Sequence, residues 1–139
     1  VTYQFPAPRG AKVKVSRAAP KFTPESIEPA VLGPIQGKRA GSREEWRLAM
    51  ALGMLRIDFA YQVGIMGGRR FAGGQVVDFV LYIPWAQPVQ VFGQYWHSGD
   101  EVCSLANIQR VYGRPALVAW DYELRSIRDA VAWIKRSVL

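Results

Sequence analysis

The chain has 139 residues but only one cysteine and one histidine. Cys103 alone excludes an internal disulfide and any zinc site that needs several cysteines, so no zinc is expected. No apolar run approaches the roughly 20 residues of a membrane-spanning helix, so no membrane partner is expected. The N-terminus lacks the charged-then-apolar pattern of a leader. Val1 stands where an initiator Met would, and the reading is of a trimmed or partial chain. Together these absences lead to the expectation of a cytoplasmic, reducing compartment, or of a place within a nucleic-acid-containing assembly.

Proline and acid are scarce in opposite parts of the chain. Only Pro84, Pro88 and Pro115, of nine prolines, lie beyond residue 41. Residues 1–41 hold only Glu25 and Glu28 against seven Lys/Arg, and so carry +5 of the net charge of +7. This predicts an extended, Pro-rich basic arm over residues 1–41 and a globular domain over residues 42–139. Half of the chain is apolar, enough for that domain to bury a core. Basic arms meet phosphate backbones because condensed counterions are released on contact. Lys12, Lys14, Arg17, Lys38 and Arg39 are therefore candidate nucleic-acid contacts, and DNA is the expected partner. An acidic protein partner is the alternative, in which case Val13, Val15, Phe22 and Ile27 would be buried on another chain.

Beyond the arm, the periodicities alternate. Ser42-Arg43-Glu44-Glu45 has the pattern of a capping box, in which Glu45 returns a bond to the Ser42 backbone. Leu48, Ala51, Leu52 and Leu55 follow at helical spacing. In FAYQVGI, residues 59–65, the alternation predicts a strand with Phe59, Tyr61, Val63 and Ile65 on one face. GGRRFAGG, residues 67–74, reads as a basic hairpin loop, which makes Arg69 and Arg70 further DNA-contact candidates. QVVDFVLYI, residues 75–83, and VQVFG, residues 89–93, are strands separated by PWAQP. Ser98 to Glu101 repeats the capping pattern before a helix through Leu105, Ile108, Val111 and Tyr112, which Gly113 ends. PALVAWDY, residues 115–122, reads as a central strand, parallel to a neighbour. Ser126 caps a final helix with Ile127, Val131, Ile134 and Val138 on one stripe. The order is arm, then αβββαβα with a mixed sheet, an α/β class.

Two residues interrupt this apolar plan. Asp78 lies within VVDFVLYI, where a carboxylate is costly to bury unless paired or bound to a cation. Strand alternation places it on one face with Val76 and Val80, opposite Val77 and Phe79. A salt bridge to Arg69 or Arg70 is the structural alternative to a metal. His97 ends the run VQVFGQYWH, beside Tyr95 and Trp96, and imidazole titrates near neutral pH. Trp85, Tyr95 and Trp96 could stack on bases, although packing is the ordinary role of any one aromatic.

In combination, VVDFVLYI, VQVFGQYWH, YGRPALVAW and YELRS resemble the PD-(D/E)XK, or restriction-endonuclease-like, superfamily. Within it they are most similar to the very-short-patch mismatch repair endonucleases and their small relatives. The likeness spans residues 42–139. It implies a restriction-endonuclease-like core and Mg²⁺-dependent DNA endonuclease activity of a nicking, repair or recombination type. By the same resemblance Asp78 and Glu45, the acid early in the first helix, are metal ligands, Val91 is a main-chain carbonyl ligand and His97 the proton acceptor. Gln90 stands where the wider pattern has a catalytic acid, and Phe92 where it has a second catalytic side chain. Those two departures give the alternative: a catalytically inactive pseudo-nuclease, kept as a nucleic-acid-binding or structural module of a larger assembly.

Overall fold

The computed structural model describes residues 28–68, 74–93 and 100–139. Helix α1 (Arg43–Met54) leads into strands β1 (Asp58–Ile65), β2 (Gln75–Tyr82) and β3 (Ala86–Phe92). Helix α2 (Asp100–Tyr112), strand β4 (Leu117–Trp120), a 3₁₀ turn (Asp121–Glu123) and helix α3 (Ile127–Ser137) complete the order. This is the expected αβββαβα sequence of elements, in an α/β fold.

The four strands form one mixed sheet in the order β1-β2-β3-β4. The first three are an antiparallel meander, and β4 runs parallel to β3 with Val89 facing Leu117 and Phe92 facing Trp120. Parallel neighbours cannot be joined by a tight turn, and α2 supplies the crossover. β4 was expected to be central because PALVAWDY is continuously apolar. Among the described strands it instead lies at the sheet edge, and only Ala119 of its four residues is buried. An edge strand clad by helices on the sheet faces has the same composition as a central one, which is why apolarity misplaces it.

Helices α1 and α3 pack together and share one core with Phe59, Tyr61, Phe79, Leu81, Val89 and Ala119. Ile108 and Tyr112 of α2 form a second core with Ile65, Val77 and Val80. The helix ends follow local chemistry. The Ser42 and Ser126 hydroxyls accept bonds from the backbone N–H groups of Glu45 (3.1 Å) and Asp129 (3.0 Å). Gly113 ends α2 at φ +75°, a conformation open to glycine at little cost.

The β1–β2 ladder contains a break. Tyr61 faces Phe79 and Val63 faces Val77, but the intervening Gln62 and Asp78 are not paired. Gln62 is left-handed there, at φ +54°. The expected single face of β1 is divided at this point: Phe59 and Tyr61 join the α1/α3 core, and Ile65, with Val63 against it, joins the α2 core. β2 changes in step, since Phe79 and Leu81 join the first core and Val77 the second. Val77 and Val80 thus share a core despite opposite parity, which corrects the alternation expected around Asp78. A left-handed residue rotates the strand between its two halves, so period-2 counting holds only on either side of it.

Residues 35–41, within the stretch read as an arm, pack against β1. Ile35 is buried, and Ile35 and Lys38 exchange both backbone hydrogen bonds. Gln36 and Gly37 between them have φ +51° and +78°, the signs a type I′ turn needs. The Gln36 side chain then acts as a short extra strand: its amide nitrogen donates to Phe59 O (2.6 Å), and its oxygen accepts from Tyr61 N (3.0 Å). Lys38 Nζ donates to Tyr61 O (2.9 Å) and Gln62 O (3.0 Å), at the break itself. These bonds satisfy an edge that would otherwise present open backbone groups. Lower down, Arg47 on α1 joins Glu28 (2.6 Å) to Leu124 O (2.8 Å), tying residues preceding the helix to those preceding α3.

Two outcomes follow. Gln36→Ala removes both side-chain bonds to β1 and should cost about 1–3 kcal/mol of stability, read from urea unfolding. The hydrogen bond from Arg47, its charge and the neighbouring Arg43 hold the Glu28 carboxyl below its ordinary value of 4.5, against the opposing effect of burial. A depressed carboxylate contributes stability that is fully present above its unfolded pKa and lost as pH falls through the folded one. Glu28→Gln should therefore lower the melting temperature at neutral pH and flatten its decline below about pH 4.5.

Candidate functional site

Asp78 sits where two ladders give out. It is skipped by β1, and the β2–β3 ladder ends one residue away, at Phe79 and Val89. The register carried one step further would set Asp78 opposite Gln90, and these positions are joined through side chains. Asp78 N–H donates to Gln90 Oε1 (2.7 Å), and Asp78 Oδ2 accepts from Val91 N–H (2.8 Å). Gln90 is buried and Asp78 half-buried. Backbone amides released from a ladder must find other acceptors, and here one carboxylate and one carboxamide take that role.

Glu45 reaches the same region from α1. Its expected bond back to the Ser42 backbone is not among its contacts. Oε2 instead accepts from the Ser42 hydroxyl (3.3 Å), and Oε1 accepts from the hydroxyl of Tyr61 (2.5 Å). The capping box is thus half-formed: serine caps the helix, but the glutamate is turned toward β1. Tyr61 also accepts from Gly41 N–H (2.9 Å) and the Gln62 amide (3.3 Å), which uses its one donor and both acceptor positions. Its ring packs on Phe79 at 5.1 Å between centroids. Burial first, then the hydrogen bond to Glu45, drive the Tyr61 hydroxyl well above its ordinary pKa. The charges of Glu45 and Asp78 push the same way, while the Gly41 amide opposes them.

Of the expected site residues, Asp78, Gln90 and Val91 are joined by hydrogen bonds, and Glu45 is bonded to Tyr61, whose ladder partner Phe79 adjoins Asp78. Gln90 serves as a hydrogen-bond acceptor for backbone, and at Val91 it is the amide N–H that meets Asp78. Lys38 spends its ammonium on β1 carbonyls, and Arg39 is exposed beside it. His97, Tyr95, Trp96, Arg69, Arg70, Lys12, Lys14 and Arg17 lie outside the described residues. Among the aromatics, Trp46 and Trp133 are core, whereas Trp85 is exposed with the Arg114 guanidinium 4.7 Å over its ring. Tyr61, Gly41 and Gln62 were not singled out in the sequence. The available signal was a tyrosine on a strand face otherwise destined for the core, since a buried phenol needs a partner.

Among the described residues, no three His, Cys, Asp or Glu side chains gather as a metal site, and no helix is long and apolar enough to cross a membrane. Comparison of the chain with protein-family models, curated proteins and solved structures gives no match.

Gln90→Leu keeps the bulk of the side chain but removes the acceptor of the Asp78 amide. It should cost about 1–3 kcal/mol, measured by chemical denaturation, and should speed hydrogen exchange of the Asp78 N–H.

Proposed function

We propose that the chain is a metal-dependent DNA endonuclease domain of restriction-endonuclease-like architecture. The observation that carries this reading is that the Glu45 carboxylate of α1 is bonded to Tyr61, whose ladder partner Phe79 adjoins Asp78, although the two acids share no local sequence reason to meet. The second support is the position of Asp78 at the point where β2 and β3 part, facing the Val91 backbone. The αβββαβα order and the β4 strand parallel to β3 are what the resemblance of residues 42–139 implies.

The donor chemistry fits Mg²⁺. Asp78, Glu45 and the Val91 carbonyl offer only oxygen, the preference of a hard cation that keeps several of its waters. Asp78 and the Val91 carbonyl would hold the ion, and Glu45, already bonded to Tyr61, would meet one of its waters. When bound, such an ion supplies neutralisation of phosphate charge and a more acidic water. The chain's own part is then to keep Asp78 in place through the Val91 N–H bond and to accept a proton at His97. Arg69, Arg70, Arg39, Lys12, Lys14 and Arg17 would meet the DNA backbone, while Lys38 is held on β1.

The second reading, a pseudo-nuclease acting as a DNA-binding or structural module, is favoured by Gln90. Its amide oxygen is already bonded to the Asp78 backbone and brings no negative charge where the wider family's pattern has an acid. Phe92 next to it is buried against Trp120, at 5.6 Å between ring centroids.

Supercoiled plasmid incubated with Mg²⁺ or Mn²⁺ separates the two. The native chain should nick it, and Asp78→Ala and His97→Ala should each abolish nicking. Salt-sensitive DNA binding without cleavage by the native chain would decide for the module.

A further inference from the structure

The sequence alone gives Glu45 a sufficient local role, since the third residue of a capped helix ordinarily bonds back to the backbone of the cap. The structure has it elsewhere. Ser42 caps α1 as expected, yet the Glu45 carboxylate is engaged by the Tyr61 hydroxyl and the Ser42 hydroxyl. Something stronger than the local preference holds it, and the surroundings of Tyr61 show what. Gly41 N–H and the Gln62 amide occupy the acceptor side of the phenol, so its only proton is left to point at Glu45. Gln62 is the left-handed residue of the ladder break, directly across from Asp78 in register. The ring itself is fixed, being buried against Phe79. Gly41 leaves the necessary room: a Cβ there would lie 2.9 and 3.0 Å from the two Glu45 carboxylate oxygens.

We propose that Tyr61 is the positioning residue of the site: it draws the Glu45 carboxylate off its capping bond and holds it at the β1–β2 ladder, one register step from Asp78, where it would meet the hydration shell of the divalent cation. The proposal rests on the metal-site reading above. It assigns the Glu45–Tyr61 bond a purpose that core packing does not require, because phenylalanine would fill the same space. Tyr61 touches neither metal nor substrate and acts through Glu45 alone.

The test is Mn²⁺ binding to the full chain, by calorimetry or by the loss of the free-ion EPR signal, with melting temperature recorded for every variant. Tyr61→Phe and Glu45→Gln should each weaken Mn²⁺ binding about tenfold, the effect typical of removing an outer-shell partner. The double variant should be no weaker than either single one, because both changes remove one interaction. Gly41→Ala reaches the same end without touching the phenol, by crowding the carboxylate away, and should reproduce the loss. It also decides the matter if Tyr61→Phe does not fold. Native Mn²⁺ affinity in Tyr61→Phe, or in Gly41→Ala, would overturn the proposal and leave Tyr61 a core strut. Asp78→Ala tells the two failures apart: if it binds Mn²⁺ as the native chain does, or if the native chain binds none, the metal-site reading falls and this proposal with it.

Discussion

Omission of the single pair Gln62 and Asp78 from the β1–β2 ladder governs much of what surrounds it. The register is the same on either side, so nothing is inserted; the strands turn, and the residues beyond change the core they serve. The α1/α3 core and the α2 core divide at this point in both strands. A fully paired ladder would have consumed the backbone of Asp78 and kept its side chain on a fixed face. The break instead leaves the Asp78 amide to Gln90 and brings its carboxylate to Val91. The cost of a left-handed Gln62 is met by bonds on both sides of it, from Lys38 to its carbonyl and from its own amide to Tyr61.

Tyr61 connects this break to the start of α1. Its hydroxyl gathers the Gly41 amide, the Gln62 side chain and the Glu45 carboxylate, residues from a loop, a strand and a helix. A buried hydroxyl with all its positions used is worth more than the sum of isolated bonds, and the loss of one partner leaves the others costly. The same arrangement accounts for the glycine at 41, where a side chain would press on the Glu45 carboxylate. Edge protection, helix capping and the candidate site are therefore parts of one polar seam lying against the core.

The two functional readings differ over what that seam is for. On the endonuclease reading Asp78 and Glu45 would supply carboxylates to a hydrated cation, and all-oxygen donors suit magnesium better than zinc. Gln90 supplies the contrary feature, a neutral side chain that satisfies the Asp78 backbone where the pattern the sequence resembles has a charged ligand. A glutamine there satisfies Asp78 N–H without setting a second negative charge beside the carboxylate, so it favours the fold whichever reading holds. Phe92, held edge-on by Trp120, likewise gives the end of β3 to packing.

Local chemistry sufficed for the elements. The serine caps at 42 and 126, the glycine stop after Tyr112 and the order of three helices and four strands each depend on neighbours within a few residues, and these were legible in the sequence. That β4 has a parallel neighbour was legible too, from its continuous apolar run, but which strand that is was not. Several features were decided only by the folded chain. Whether β4 lies at the edge or the centre depends on which strands pair, not on its composition. The division of Phe59 and Tyr61 from Val63 and Ile65 depends on a positive φ at Gln62 that no periodicity reports. The diversion of Glu45 from its cap depends on a tyrosine 16 residues later, and the clamp of Gln36 on β1 on an edge more than 20 residues away. The sequence by itself thus determined which segments are helices and strands, because those choices are made by short-range sterics and capping. Tertiary structure decided which polar groups meet at Asp78 and Tyr61, because a buried donor takes its acceptor from whatever distant residue the packing brings within reach.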